Sequence, residues 1–480
     1  MNSHFLEEIE KSRVATTNSI AIEKKKLSEQ YFTPAKVSLV MANMFTARTD
    51  IELSVLDPCC GVGNLSAAVL DRAEREKENI SLTLIEKDAY LIDIAKNNFR
   101  EIQNVYFCEG DFFEHAETLK KFDRIIINPP YSKISSKSDF AKKCFRALGY
   151  KEANLYSAFI SYGLKLLSTE GELVAIIPRS FCNGPSFREF RKRILEDFHV
   201  QEIYLFESRA VFCDSNVLQE LLILKIVRQG DGRVKISHEK KSGEVNTRYT
   251  TNDKVFFSAD FQKFIHIPMA VGDDELLEKM SRFNHTMLSI GLRASTGKVV
   301  DFRCGNWLRT TKTKETSHLL YQDNVKPNHY ITFDRTSNDK SGYIAVCDDS
   351  LPVLIPNRNY ILVRRISFKE SQTRIVAGPL LSNSYTDSYI GIENHLNYIW
   401  GEKTELTQNI CIALFAYIST RTIDLYIRRF SGHTQINATD LNSIPIPGVE
   451  KLETFGRLHS KFKIEEIVKK AEDAFFPDKL

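Results

Sequence analysis

At 480 residues the chain is longer than a single hydrophobic core usually organises, and two domains are expected. Hydrophobic residues at 42% and charged residues at 26% are ordinary for a soluble globular protein, and no apolar run approaches the ~20 residues that a membrane-spanning helix needs. A net charge of +3 favours no partner by itself, because a basic face can hide inside a balanced total.

Residues 1–30 read as an N-terminal arm. The stretch 1–26 is polar and charged with no apolar segment, unlike a secretory signal, and a cytoplasmic protein is expected. Lys24-Lys25-Lys26 suits either solvent or a phosphate. The nine cysteines form no C-x-x-C pair and no short Cys/His spacing, so neither a metal site nor a disulfide framework is expected. Adjacent Cys59 and Cys60 suit reduced thiols.

From 31 to about 230, short apolar runs alternate with helical stretches. The runs are 53–56, 82–85, 105–108, 124–127, 173–177 and 203–206; the helices are 65–77, 89–99 and 153–167. That rhythm predicts βαβ units in an α/β fold with a Rossmann-like, mixed, mostly parallel sheet. The further run 218–227 permits an antiparallel hairpin with 203–206. A helix over 187–195 carries Arg188, Arg191, Lys192 and Arg193 on a face expected to meet solvent or phosphate.

Residues 228–248 are polar and turn-rich and read as a linker or interdomain hairpin. The division expected is a catalytic domain over 31–245 and a second, mixed α+β domain over 246–480, with a strand at 360–366 and a helix at 410–429.

Two stretches carry chemistry. In the first, an apolar strand ends in Asp57-Pro58-Cys59-Cys60-Gly61-Val62-Gly63 and a helix follows. Glycines there let the backbone approach a ligand, and the helix start offers unpaired N–H groups. A G-x-G turn alone is either structural or a nucleotide site, and the missing lysine of a phosphate loop disfavours ATP. The next strand ends in Glu86, with Lys87 beside it, about 20 residues beyond the glycines, where an acid holds ribose hydroxyls. The third is followed by Asp111-Phe112, an acid and an aromatic suited to the amino group and face of an adenine.

The second stretch is Asn128-Pro129-Pro130-Tyr131, which closes the strand 122–127. Two prolines stiffen the turn and contribute acceptors without donors. An exocyclic amine can donate to the Asn128 side-chain carbonyl and to the Pro129 main-chain carbonyl, which favours a tetrahedral nitrogen with its lone pair out of conjugation. Tyr131 supplies an aromatic face for the substrate ring. The remaining reading is a proline turn that only closes a strand.

Phe32-Thr33-Pro34, Asp57 to Gly63, Glu86, Asp111-Phe112 and Asn128 to Tyr131, in that order, resemble the gamma-class adenine amino-methyltransferases of type II restriction–modification systems. The resemblance spans 27 to about 227. It implies that S-adenosylmethionine is held by Phe32, Thr33, Pro34, Asp57, Pro58, Cys59, Gly61, Gly63, Glu86, Lys87, Asp111, Phe112 and Asn128. It implies catalysis at Asn128, Pro129, Pro130 and Tyr131 on a base flipped out of double-stranded DNA. Phe212, in the stretch 210–217, takes the family's second stacking role; Phe181 and Phe206 compete for it. The Cys59-Cys60 doublet departs from the family and reads as a harmless variation that leaves sensitivity to thiol reagents open.

The second half is large enough to read DNA. Clusters at Arg309–Lys314, Arg364-Arg365 and Arg428-Arg429 suit phosphates or guanine edges, although each is also an ordinary solvated face. Asn394 lies in an amide-rich stretch, and His433, Thr434 and Gln435 lie in a segment similar to closing segments of target-recognition domains, with an Ile-Pro-Ile-Pro strand, 444–447, behind it. The tentative DNA contacts are therefore Arg309, Arg364, Arg365, Asn394, His433, Thr434 and Gln435. Methyltransferases acting on RNA or on protein glutamine share the chemistry, and an inactive DNA-binding specificity subunit is a further alternative. A separate cognate endonuclease and an orphan enzyme are both allowed, and action as a monomer is expected.

Overall fold

The computed structural model describes residues 3–19, 32–115, 118–135, 137–207, 220–257, 260–270, 272–333, 341–367, 371–430 and 435–477. Lys24–Lys26, Phe212, His433 and Thr434 lie outside them. The chain forms two compact units, Met1–Val255 and Phe256–Leu480, so the division falls beyond the expected 245.

Unit 1 is built on a sheet of β1 Glu52–Asp57, β2 Asn79–Glu86, β3 Val105–Glu109, β4 Phe122–Ile127, β5 Leu167–Pro178, β6 His199–Phe206, β7 Leu221–Val227, β8 Arg233–Glu239 and β9 Val245–Thr251. Their spatial order is β3-β2-β1-β4-β5-β7-β6-β8-β9. β1 to β5 pair in parallel, while β7 runs antiparallel to both β5 and β6. β8 and β9 correct the linker reading of 228–248. β8 adds to β6 in parallel and returns through the turn at Gly243 as β9, so the polar stretch is the far edge of the catalytic sheet.

Helices cover the sheet: α1 Ser3–Ser19, α2 Ala35–Asn43, α3 Asn64–Glu76, α4 Ala89–Asn98, α5 Asp139–Leu148, α6 Leu155–Leu166 and α7 Arg188–Asp197. Side chains cap several of them. Asp88 accepts from Tyr90 N at 3.0 Å and Ser138 from Ala141 N at 3.2 Å, each satisfying a first-turn N–H group. Residues 3–19, expected as part of an arm, form α1, which packs on α3. The basic face of α7 is also corrected: Arg191 is fully buried and donates to Gly184 O at 2.8 Å.

β4 is largely buried and apolar, except for Asp123 and Arg124. That guanidinium is buried against Glu78, with N–O distances of 2.6 and 2.7 Å, and against Thr46 O at 2.6 Å. Arg72 also bonds Glu78, and Lys225 meets Glu172 at 2.8 Å. Paired in this way, the buried charges tie the segment before β1 to the sheet.

Among the described residues unit 2 has two sheets. Strands β10 Leu292–Thr296, β15 Tyr360–Arg364, β16 Ala377–Leu380 and β18 Leu396–Gly401 form one, in the order β10-β18-β15-β16. The other contains β11 Leu308–Arg309, β12 Thr316–Leu320, β13 Tyr343–Ala345, β14 Leu354–Pro356 and β17 Tyr389–Ile392, in the order β11-β13-β12-β17-β14. The helix expected over 410–429 is two, α8 Gln408–Ile418 and α9 Arg421–Phe430, meeting at 58°. Thr420 makes the break: its hydroxyl donates to Tyr417 O and accepts from Ile423 N, capping the second helix. Ile410–Ile418 is wholly buried against α10 Val449–His459 and α11 Ile464–Phe475, and among the described residues no single helix is long and apolar enough to cross a membrane. The Ile-Pro-Ile-Pro segment is not a strand. Ile446 makes one bridge to His285, and Ile444 and Ile446 are fully buried in this core.

Candidate active site

The strand order reverses at β1, which lies between β2 and β4. Loops leaving β1 and β4 part at that point and open a crevice at their carboxyl ends. A cavity of about 750 Å³ occupies it, lined entirely by residues of unit 1.

The turn after β1 forms one wall. Gly61 and Gly63 have φ of +56° and +98°. A Cβ on Gly63 would stand 2.3 Å from the Phe99 ring, so torsion and space both demand glycine. Gly61 N donates to Glu86 Oε2 at 2.9 Å, while Lys87 N and Asp88 N donate to Oε1 at 2.9 and 3.0 Å. Burial pushes the Glu86 carboxyl above its ordinary value against the opposing pull of those donors. Its oxygens still have acceptor capacity for hydroxyl groups.

At the end of β3, Asp111 Oδ1 accepts from Phe113 N at 2.9 Å, and Oδ2 lies 4.0 Å from Lys87 Nζ. Phe112 packs on Phe159 with centroids 5.5 Å apart and planes at 32°. Both rings line the cavity beside Leu91, an apolar slot next to a carboxylate.

Asn128, at the end of β4, has its amide fixed from two sides. Its Nδ2 donates to Thr33 Oγ1 at 3.0 Å, and its Oδ1 accepts from the Tyr131 hydroxyl at 2.9 Å. The main-chain oxygen accepts from Cys59 Sγ at 3.2 Å. Three separate sequence signals, at 33, 59 and 128, thus meet in one set of hydrogen bonds. Burial first, then Asp57 and Glu86, raise the Cys59 and Cys60 thiols well above their ordinary range.

Of the residues expected to hold a cofactor, Phe32, Thr33, Pro58, Cys59, Gly61, Glu86, Lys87, Asp111, Phe112 and Asn128 line the cavity; Pro34, Asp57 and Gly63 do not. Asp57 is fully buried, and its Oδ2 accepts from Ser66 Oγ at 2.8 Å. Burial raises its carboxyl to about 7 despite the Ser66 and Cys59 hydrogen bonds. Pro129 and Pro130 are on the wall, but Tyr131 is not: its ring is edge-on to Tyr156 at 6.3 Å and is nearly buried. Phe181 is a core residue against Phe190. The sequence reading missed Asn64, Lys133 and Phe159 on the cavity wall. Asn64 follows the glycine turn directly and could have been flagged; Phe159 sits inside a helix and carried no signal.

In unit 2 the structure gathers some tentative DNA contacts and disperses others. Arg365 Nη1 donates to Asn394 O at 3.2 Å, Ile436 N donates to Arg365 O at 2.8 Å, and Gln435 bridges Ile366. Arg365, Asn394 and Gln435 therefore share one edge, with His395 among them; its Nδ1 lies 2.6 Å from buried Glu393. Arg364 turns inward to Val325 O at 2.8 Å, and Arg309 is on β11 with its guanidinium on Asn306 O and Leu308 O. Arg428 and Arg429 are engaged by Asp424 and Asp273, which corrects their reading as a free basic cluster. Among the described residues no cluster suits a metal ion.

Residues 17–212 match the Eco57I restriction-modification methylase family. Over nearly the whole chain the protein is similar to the type II methyltransferase M.BsuBI of Bacillus subtilis, at 34% identity covering 97% of this chain and 98% of that one. The type II methyltransferase M.PstI of Providencia stuartii is 32% identical over 92% of each. Among solved structures, the type IIL restriction-modification enzyme MmeI in complex with DNA superposes with a TM-score of 0.52 at 12% identity, covering 99% of this chain and 74% of that one, a likeness of fold.

Proposed function

Because the chain belongs to the type II methyltransferase family of restriction–modification systems, we propose that it methylates the N6 amino group of an adenine flipped out of duplex DNA. The methyl donor is S-adenosylmethionine, which supplies an electrophilic methyl group on a sulfonium. The cavity fits that donor on its own terms. Glu86 offers acceptors for ribose hydroxyls, and Asp111 beside Phe112 and Phe159 offers an acceptor and ring faces for an adenine. Asn64 Oδ1 is buried with no partner among the described residues.

The observation that carries the reading is the Asn128 amide, locked by Thr33 and Tyr131 at the wall of this cavity. Its Oδ1 accepts one bond from Tyr131 and has a second lone pair for an exocyclic amine. The Pro129 carbonyl offers the other acceptor, and neither proline brings an N–H group that would compete. Two acceptors draw the amine toward tetrahedral geometry and free its lone pair, so the protein contributes position and electrostatics, with no strong base. Flipping brings the amine to this depth, and unstacking it costs a few kcal/mol. Unit 2, and within it the edge at Arg365, Asn394, His395 and Gln435, supplies contacts to base edges.

Incubation with methyl-labelled donor and duplex DNA, RNA or protein, followed by base-resolution sequencing, tests the reading. Label in duplex DNA at adenine N6 is expected. Label confined to RNA or protein would end the DNA reading, and methylation at cytosine N4 would end the adenine one.

A further inference from the structure

Helix α1 was expected to be part of an arm, yet it supplies a group to the cofactor site. Glu10, in α1, accepts four N–H bonds: from Asn64 Nδ2 at 2.9 Å, Ala35 N at 3.1 Å, Arg13 Nε at 3.0 Å and Arg13 Nη2 at 2.7 Å. One carboxylate thereby joins the residue after Phe32-Thr33-Pro34 to the first residue of α3, directly behind the glycine turn.

Asn64 is 5% exposed and lines the cavity. A carboxylate only accepts, so Glu10 selects the NH2 side of the Asn64 amide and excludes the flipped arrangement. Asn64 Oδ1 is left buried without a partner among the described residues. Orphan acceptors of this kind are rare in folded proteins and point to a missing donor.

The order of groups along the sheet says which donor. Asp111 follows β3, Glu86 ends β2, Asn64 stands beyond β1 and Asn128 ends β4. The first two suit the base and ribose of the methyl donor, and Asn128 marks where its methyl group must point. The donor group still without a partner is the ammonium of the amino-acid end. We propose that Asn64 Oδ1 accepts from that ammonium, and that Glu10 is a positioning residue that holds the Asn64 amide in the accepting orientation. The proposal rests on the S-adenosylmethionine reading above.

Calorimetry on the full chain tests it with S-adenosylhomocysteine, its deaminated analogue, and 5′-methylthioadenosine, which lacks the amino-acid end. The unmodified protein should bind S-adenosylhomocysteine about 10- to 100-fold more tightly than the deaminated analogue, the range expected for a buried hydrogen bond to a charged group. Asn64→Ala should erase that preference and leave 5′-methylthioadenosine binding unchanged, which also shows that the variant is folded. Glu10→Ala should give a smaller loss in the same direction, with no further loss in the double variant, and Glu10→Gln, which keeps an oxygen acceptor for Nδ2, should restore most of it. Equal binding of S-adenosylhomocysteine and its deaminated analogue by the unmodified protein would overturn the proposal without any variant. Equal loss of S-adenosylhomocysteine and 5′-methylthioadenosine in Asn64→Ala would also overturn it. Failure of the unmodified protein to bind any of the three would instead bring down the donor assignment, and the proposal with it.

Discussion

At the scale of single residues, Asn128 and Tyr131 divide a task that the four-residue motif presents as one. Under the proposed mechanism, Asn128→Ala removes an acceptor needed most in the transition state. Turnover should fall by ~10²-fold or more while calorimetry still detects donor binding, and unchanged turnover would refute the role. Tyr131 was expected to stack on the substrate ring, but its hydroxyl bonds Asn128 Oδ1 and its ring is nearly buried. Tyr131→Phe keeps the ring and removes the donor, so kcat should drop by about 10-fold, the worth of one hydrogen bond, with DNA affinity held. A drop in DNA affinity with kcat intact would return Tyr131 to stacking. Asp57 makes a prediction about pH. Its carboxyl stands at about 7 against an ordinary 3.8. The folded chain therefore binds more protons than the unfolded chain between these values, and stability falls as pH rises through that window. The loss is on the order of a few kcal/mol and levels off above about pH 7. In Asp57→Asn, unfolding followed across pH 4–8 should show a flatter slope, and an unchanged slope would place the titration elsewhere.

At the scale of elements, the site depends on how closely the turn after β1 can pack. Gly63→Ala would place a Cβ against Phe99 at a φ that favours glycine. The backbone strain alone is worth about 1–3 kcal/mol, so a lower melting temperature and weaker donor binding are expected together. Normal values of both would show that the turn has slack. Sequence pattern located this turn and every strand from β1 to β7, because apolar runs bounded by turn residues are a local signal. It misjudged the hairpin of β8 and β9, which is mostly polar, with β9 the edge strand and largely exposed. It also merged α8 with α9, since apolar spacing continues across Ser419-Thr420 and only the Thr420 cap interrupts the helix.

At the scale of the whole molecule, the chain divides into two units of similar size, and the relatives match across both. If unit 2 carries about six phosphate contacts, DNA affinity should fall by roughly 10³-fold between 50 and 200 mM salt. A flat response in a filter-binding or anisotropy titration would remove unit 2 as the reader. Arg365→Ala should weaken binding, whereas Arg429→Ala should act through lost packing with Asp273, leaving the salt slope unchanged.

The sequence by itself determined where the candidate groups of the site stand. Asn-Pro-Pro-Tyr, the glycine turn, Glu86 and Asp111 are short segments at strand ends, a pattern that local sequence carries. Only the tertiary structure decided which atoms cooperate, because hydrogen bonds across many residues leave no periodic trace. Thr33 with Asn128, Glu10 with Asn64 and Arg124 with Glu78 are pairs of this kind. The structure also showed which charges are committed. Arg191, Arg428 and Arg429 read as a basic surface until their carbonyl and carboxylate partners are seen, since a charge written in a sequence does not say whether it is paired.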